Sequence, residues 1–278
     1  MDFSEIIVFL ASCFFTYKFL SRWYRQTLGG TPLKRNVGLR LSLALLPVAS
    51  LITVYYTLIK LASFDVVDSE IYILFYLLIG MVWLYFGLSL MFFFFDLSWI
   101  DDVLNMCNSA AAAAVIGGGL GITVIYAGAN IGDGPGWWCV FFAGGLGLAA
   151  WVLLGVIANA VTGIFRQITV DRDIFCGIRT GAYLLSSGII LGRASAGDWT
   201  SFLSTAIEFL DGWPVLILTA VFILLELLFA ASKRAGANKA LSLYFSLLLG
   251  VAYIAAAIFA LYALPPLPVN PIYSLVKV

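Results

Sequence analysis

Histidine is absent from this sequence of 278 residues, and its absence excludes several kinds of site. The chain has no histidine-ligated haem or zinc, no Ser-His-Asp triad and no imidazole proton shuttle. Cysteine is scarce too: the four cysteines form no Cys-x-x-Cys pair and lie in or near apolar runs. We interpret them as packing residues, with redox or metal roles as the alternative. We therefore expect no cofactor and no metal site.

Charged residues are also few. They make up 11% of the chain, against about 25% in a soluble globular protein, while 63% of the residues are hydrophobic. The mean hydropathy is +1.04, so the chain cannot keep a soluble surface and lipid must be its solvent. The formal net charge is zero. A nucleic-acid partner is not expected, because binding phosphates needs clustered Lys and Arg.

The long apolar runs predict an all-α membrane protein with about eight transmembrane helices. A helix needs about 20 apolar residues to cross the hydrocarbon layer. The stretch 201–210 is too short for a ninth span and ends near Glu208 and Asp211, so we expect an interfacial helix there. The predicted spans are 5–23, 38–61, 71–95, 104–128, 137–165, 174–194, 213–232 and 241–264.

Basic residues predict the orientation, because cytoplasmic loops carry an excess of Lys and Arg. With the first residue outside, three basic residues fall on the outer side: Lys60, Arg193 and Lys277. Eleven fall on the inner side: Arg22, Arg25, Lys34, Arg35, Arg40, Arg166, Arg172, Arg179, Lys233, Arg234 and Lys239. Both termini are therefore predicted on the non-cytoplasmic side.

The ends of the first span and the tryptophans support this prediction. Asp2 and Glu5 precede the first apolar run and basic residues follow it, which favours a retained span over a cleavable signal peptide. Tryptophans lie at predicted span ends, as in an interfacial aromatic belt. They are Trp137, Trp138, Trp199 and Trp213 at outer ends, and Trp23 and Trp99 at inner ends.

Spans four and six align with each other at an offset of 71 residues. The aligned pairs are Asp102 with Asp173, Asn108 with Arg179, Gly117 with Gly188 and Gly121 with Gly192. The alignment predicts a repeated two-helix hairpin of about 70 residues, and such repeats run parallel. The predicted units are an N-terminal hairpin (1–70), a central four-span unit (71–199) and an interfacial segment with a C-terminal hairpin (200–278).

The glycines of these spans form ridges that allow close helix approach. In lipid, small residues let helix backbones touch, so Gly117, Gly121, Gly188 and Gly192 are predicted packing residues. The alternative is an oligomer interface, or a pore lined by small residues. Pro47 lies inside span two, where a neighbouring group must satisfy the carbonyl that proline leaves without a donor.

Polar residues recur at similar depth, roughly 8–10 Å inside the predicted cytoplasmic boundary. We expect a cytoplasm-facing polar cavity or network, with Glu226 paired to Arg179 or Arg40, because charges at this depth avoid lipid. Three interpretations stay open: a pair that fixes helix register, a substrate or ion site, or arginines that reach back to the interface. The predicted polar layer comprises Glu226, Arg179, Asn108, Asn159, Arg40, Thr180 and Ser109.

The stretch 72–199 resembles the bacterial inner-membrane YjfL-like family, whose function is unknown. The resemblance rests on the run Asn108-Ser109-Ala110-Ala111, the glycines from Gly117 to Gly121, and the segment from Ala194 to Trp199. The second copy departs from the pattern, because Arg179 stands where the family has asparagine. The resemblance implies a bacterial cytoplasmic-membrane protein, a duplicated four-span unit and a link to membrane stress, but no reaction.

Two functions are compatible with these features. The protein is a conduit or transporter component that uses the predicted polar layer, or a non-transporting scaffold that recruits a cytosolic partner through the basic 22–40 loop. Membrane lipids are partners in either case, and a homo-oligomer is an alternative use of the glycine ridges. An intramembrane enzyme is not expected, since the sequence has no mid-membrane aspartate pair, metal-ligand cluster or Gly-x-Ser-x-Gly motif. No catalytic residue is predicted.

Overall fold

The structure is a computed structural model that describes residues 2–29, 36–234 and 239–267. These residues form eleven α-helices, and the structure has eight candidate membrane spans, as predicted. The chain is an all-α, multi-pass membrane protein. The helices are α1 (Phe3–Leu28), α2 (Val37–Lys60), α3 (Phe64–Val67), α4 (Glu70–Phe95), α5 (Ser109–Ala129), α6 (Trp137–Thr162), α7 (Ile164–Thr169), α8 (Ile174–Ala194), α9 (Phe202–Glu208), α10 (Pro214–Arg234) and α11 (Lys239–Ala263).

The long helices form two rows. One row holds α2, α5, α8 and α11 in that order, and the other holds α1, α4, α6 and α10. Each hairpin places one helix in each row, so the helices of a row run in the same direction. We call the end where α5 and α8 begin the Asn108 end, and the end where they finish the Asp133 end. The rows run through all three predicted units, whose boundaries stay predictions.

Three predicted span boundaries were wrong. Span one ends at Leu28 rather than at 23. Span four starts at Ser109 rather than at 104, because the Asn108 side chain caps α5 and residues Trp99–Asn105 form a separate π-helical turn. Span five ends at Thr162 rather than at 165. Gly163 has a φ of +65°, in the left-handed region that favours glycine, and the short helix α7 follows it.

The stretch predicted as an interfacial helix is helical. It forms α9, and a single 3₁₀ turn at Phe209–Gly212 leads into α10. By length and hydropathy alone, α9 and most of α10 together make up the seventh candidate span, Phe202–Ala231. Its position at the membrane surface stays a prediction.

The carbonyl that Pro47 leaves without a helix donor is satisfied by a neighbouring helix, as predicted. Pro47 has no N–H for the carbonyl of Leu43, four residues earlier. The indole nitrogen of Trp23 on α1 donates to that carbonyl at 3.1 Å. Trp23 is fully buried, with its ring centroid 4.2 Å from that of Trp99. The assignment of Trp23 to an interfacial belt was therefore wrong.

Glycines bring α5 and α8 into direct backbone contact. A Cβ added at Gly117 would lie 2.1 Å from the carbonyl oxygen of Gly181, and one added at Gly121 would lie 2.5 Å from that of Leu184. A Cβ at Gly192 would meet the carbonyl oxygen of Val124 at 2.6 Å, and Gly188 is equally close to Gly121. All four predicted packing glycines therefore lie in a contact within one chain, so they supply no interface to a second copy.

The helix starts indicate a different alignment of spans four and six from the one predicted. Helices α5 and α8 each contain 21 residues, and their capping residues, Asn108 and Asp173, are 65 positions apart. The predicted offset of 71 placed Asn108 opposite Arg179, which lies about one and a half turns inside α8. Asn108 instead lies at the start of α5, so the predicted correspondence of Asn108 with Arg179 was wrong.

Candidate functional site

A buried ion pair lies where α8 meets α10 and α11. Arg179 is 3% exposed and Glu226 is 1% exposed, and the α11 residue Ser246 is fully buried beside them. Arg179 lies five residues after the start of α8, about 8 Å along the helix axis. We call these three residues the first polar layer.

The ion pair is bidentate. Nε of Arg179 donates to Oε1 of Glu226 at 2.5 Å, and Nη2 donates to Oε2 at 2.7 Å. Nη1 donates to the hydroxyl of Ser246 at 2.7 Å, and the guanidinium carbon lies 4.1 Å from the ring centroid of Phe229. Planar, bidentate pairs of this kind are among the strongest hydrogen-bonded contacts in proteins. The predicted pairing of Glu226 with Arg179 is confirmed.

The other members of the predicted polar layer do not converge on this pair. Arg40 donates to the carbonyls of Gln26 and Thr27 at the end of α1, so its alternative pairing with Glu226 was wrong. Asn108 caps α5 and donates to the carbonyl of Ile168 at 2.7 Å. The side chain of Asn159 accepts from the backbone N–H of Phe165, just after the break that ends α6.

The two predicted hydroxyl residues lie in different surroundings. Ser109 is exposed at the start of α5. Thr180 is fully buried, and its hydroxyl lies 3.8 Å from the sulfur of Cys176 on the same helix. The prediction of one network across these spans was therefore wrong, and only Arg179 and Glu226 meet.

Further buried hydroxyls lie two turns from the ion pair. Thr219 on α10 and Ser186 on α8 are each seven residues from Glu226 and Arg179, and Tyr253 on α11 is seven residues from Ser246. All three are at most 4% exposed, and we call them the second polar layer. The sequence analysis missed them, although a spacing of seven places two residues on one helix face.

A cavity of about 50 Å³ lies at the Asp133 end of the bundle. It is lined by the loops that follow α2, α5 and α8, and by residues of α4, α6 and α9. Its polar lining includes Ser63, Asn130, Asp133, Ser195 and Glu208. We expected a cavity at the opposite end of the bundle, beside Arg179 and Glu226, and that expectation stays a prediction.

The loops around this cavity are joined by aspartates. Oδ1 of Asp133 accepts from the backbone N–H of Phe64 at 3.1 Å, and Oδ1 of Asp198 accepts from the backbone N–H of Asp133 at 2.7 Å. Backbone bonds from Gly132 to Leu61 and from Gly197 to Ile131 run beside them. The pairs Gly132-Asp133 and Gly197-Asp198 in the sequence are the signal that could have revealed this contact.

Two carboxyl groups outside the spans have altered proton affinity. Burial raises the pKa of Asp102, because it disfavours the charged form, while the backbone N–H of Ser98 bonds this carboxylate at 2.7 Å. The pKa of Asp2 is lowered, chiefly because the backbone N–H of Glu5 donates to its carboxylate at 2.8 Å. Each carboxylate accepts a backbone N–H at the start of a helical turn, so these shifts reflect local structure.

No protein-family model, curated protein or solved structure matches this chain. The site therefore has to be interpreted from its own geometry.

Proposed function

We propose that this protein is a membrane conduit or transporter component, and that it works through the contact of α8 with α10 and α11. The observation that carries the proposal is the Arg179–Glu226 pair, whose members are both less than 5% exposed inside the bundle. A well-packed apolar contact would stabilise the fold as well or better, because removing two charges from water costs several kcal/mol per ion. Ionisable residues inside membranes commonly mark ion or substrate pathways.

The contact with α5 is the less suitable place for movement. Its backbones already touch, so α5 and α8 are expected to behave as one body. Helices α10 and α11 hold α8 through side-chain hydrogen bonds, which exchange partners more readily than a packed core rearranges. This difference supports the α8–α10–α11 contact as the surface that changes during transport.

The test is solute flux in proteoliposomes that contain the full-length protein. We expect wild-type protein to pass protons, K⁺ or a small neutral solute, and Glu226→Gln to reduce that flux at least tenfold. Glu70→Gln is the matched control, because Glu70 is exposed at the start of α4. The double variant Arg179→Gln/Glu226→Gln removes both charges, and it replaces the single variant in the flux assay if the single variant folds poorly. Absence of flux for all three solutes would contradict the proposal.

A scaffold that recruits a cytosolic partner is the second candidate. The observation in its favour is that Arg22 and Arg25 are both exposed near the end of α1, at the Asn108 end. Exposed basic residues beside a span attract anionic lipid or acidic protein surfaces. Lys34 and Arg35, also part of the predicted basic 22–40 loop, lie outside the described residues. A soluble partner that co-purifies with the wild type, but not with Arg22→Gln/Arg25→Gln, would support this candidate.

We further propose that the protein resides in a bacterial cytoplasmic membrane, with the Asn108 end towards the cytoplasm. The excess of basic residues at that end and the resemblance to the YjfL-like family support this placement. The four hairpins of the fold also support a repeated two-helix unit as its origin. A single cysteine at Ser69, in a variant without the native cysteines, should react with an impermeant thiol reagent from the non-cytoplasmic side. Reaction from the cytoplasmic side would reverse the orientation.

A further inference from the structure

The polar contact of α8 with α10 and α11 extends beyond the ion pair. The first polar layer is closed by the three arginine hydrogen bonds. Seven residues along a helix correspond to about 10 Å, so the second polar layer lies that far towards the middle of the bundle. Each of the three helices therefore presents two polar residues to the same contact, two turns apart.

The second polar layer is only partly hydrogen-bonded. The hydroxyl of Thr219 donates to the carbonyl of Val215 at 2.8 Å, and Tyr183 on α8 therefore donates to Thr219 at 2.9 Å. The hydroxyl oxygens of Ser186 and Tyr253 are buried and have no hydrogen-bond partner in the described part of the protein. A buried hydroxyl without a partner destabilises the fold, so two in one contact need an explanation.

The helix register places these two hydroxyls at the same level. Arg179 bonds Ser246, and Ala182 lies beside Gly250, so α8 and α11 run alongside each other at an offset of 67 to 68 residues. That offset puts Ser186 opposite Tyr253. A helical tyrosine points back towards the start of its helix, which for Tyr253 is the direction of Ser246 and the ion pair. The Phe222 ring packs between Tyr183 and Tyr253 and fixes this arrangement.

We propose that the second polar layer binds water, and that this water and the Tyr253 hydroxyl carry protons to and from the Glu226 carboxylate. The inference rests on the proposed function and names the proton as the ion involved. In the transfer, an O–H bond of the water breaks as an O–H bond forms on Glu226. The water then takes a proton from the next hydroxyl or water in the layer, so protons are conserved.

Arg179 has partners besides Glu226, so the guanidinium keeps contacts when the carboxyl group is neutral. The titratable groups facing Glu226 from described side chains are Arg179 and Cys176 on α8 and Tyr253 on α11. When Glu226 is protonated, Arg179 keeps its bond to Ser246 and its contact with the Phe229 ring, which stabilises a cation. The arginine therefore has partners in both states of the carboxyl group.

Two variants each remove one hydroxyl and little else: Tyr253→Phe and Ser186→Ala. We expect proton flux into proteoliposomes, followed with a trapped pH-sensitive dye, to fall at least tenfold in Tyr253→Phe and severalfold in Ser186→Ala. The matched controls are Tyr126→Phe and Ser50→Ala, whose hydroxyls are equally buried but bonded to Tyr76 and Thr123. Controls that lose as much flux as the test variants would overturn the inference.

Bound water is tested separately by infrared spectroscopy of the wild-type protein. Internal water should give O–H stretching bands that shift when H₂¹⁸O replaces H₂¹⁶O, and these bands should be lost in Tyr253→Phe and kept in Tyr126→Phe. Bands that are absent from the wild type, or unchanged in Tyr253→Phe, would overturn the water site even if the protein transports nothing.

The flux results separate the two proposals. Flux of another solute that needs Glu226, without proton flux, would overturn the proton inference and leave the proposed function standing. Absence of any flux overturns the proposed function and the proton route together, whereas the infrared bands alone decide the water site.

Discussion

Helix α8 contacts its neighbours through two opposite faces that hold helices together by different means. The face towards α5 carries Gly177, Gly181, Gly188 and Gly192, and backbone touches backbone there. The face towards α10 and α11 carries Arg179 and Tyr183, whose side chains make hydrogen bonds to those helices. The first face requires glycine, because a side chain would keep the two backbones apart. The second face requires specific polar side-chain atoms. Substitutions should therefore act in opposite ways on the two faces.

The largest effect is expected where one charge is removed. Glu226→Ala leaves the Arg179 guanidinium buried without its carboxylate, and we expect the free energy of unfolding to fall by about 3–5 kcal/mol. The double variant Arg179→Met/Glu226→Met replaces the pair with apolar side chains of similar length, and its stability should be close to or above that of the wild type. Denaturant unfolding in detergent micelles measures both. A double variant less stable than the single variant would contradict this account.

The glycine face should respond to one added methyl group. In Gly117→Ala the new Cβ collides with the carbonyl oxygen of Gly181, and overpacking of this kind costs about 1–3 kcal/mol. Gly145→Ala is the control, because nothing lies within 4 Å of a Cβ at that position. Thermal unfolding should show a lower midpoint for the first variant alone. Equal midpoints would mean that α5 and α8 are farther apart than the structure shows.

The bond between Trp23 and Leu43 joins a side chain to a backbone group. The indole of Trp23 donates to a carbonyl that has no donor within its own helix. Trp23→Phe removes the indole donor to the Leu43 carbonyl, and we expect a loss of about 1–2 kcal/mol. In a Pro47→Ala background, the backbone N–H of the introduced alanine can bond that carbonyl, so the same substitution should cost less. The comparison forms a double-mutant cycle of unfolding free energies. Equal costs in the two backgrounds would mean that the contribution of the Trp23 bond does not depend on Pro47.

The smallest effect is expected at a neutral polar bond between parallel helices. The hydroxyls of Ser50 on α2 and Thr123 on α5 lie 2.8 Å apart, and Thr123 also donates to the Gly119 carbonyl. Ser50→Ala therefore leaves no donor unsatisfied and should cost about 0.5–1.5 kcal/mol in unfolding free energy. Ser89→Ala, at an exposed hydroxyl that bonds its own helix, should cost less. A cost like that of Glu226→Ala would remove the distinction between charged and neutral contacts.

The sequence predicted the parts of the fold that depend on composition and spacing within one helix. Eight spans and the need for a donor near Pro47 follow from apolar runs and from proline chemistry. The pairing of Glu226 with Arg179 was predictable because a buried carboxylate requires a cation. The wrong start of α5 had a local cause: Asn108 bonds the N–H groups of Ala110 and Ala111, so it starts a helix that hydropathy alone extends backwards.

The Asp133 end was not predicted, because its contacts depend on how hairpins align in space. Asp133 and Asp198 follow their helices as ordinary loop acids do, and only the register of α5 and α8 brings the second carboxylate to the first backbone amide. The hydroxyl pair of Tyr183 and Thr219 depends in the same way on the rotation of α8 against α10. Periodicity gives the face of a helix, but it does not give its partner.

The sequence separation of the ion pair has a consequence for biosynthesis. Arg179 precedes Glu226 by 47 residues, so α8 is made and delivered to the bilayer before the helix that neutralises it. During that interval the glycine contact with the already inserted α5 is the means of retaining α8, since an arginine within a span costs about 2.5–3.5 kcal/mol on insertion scales. A chain that ends after α8 therefore has an arginine within a span and lacks the carboxylate that neutralises it.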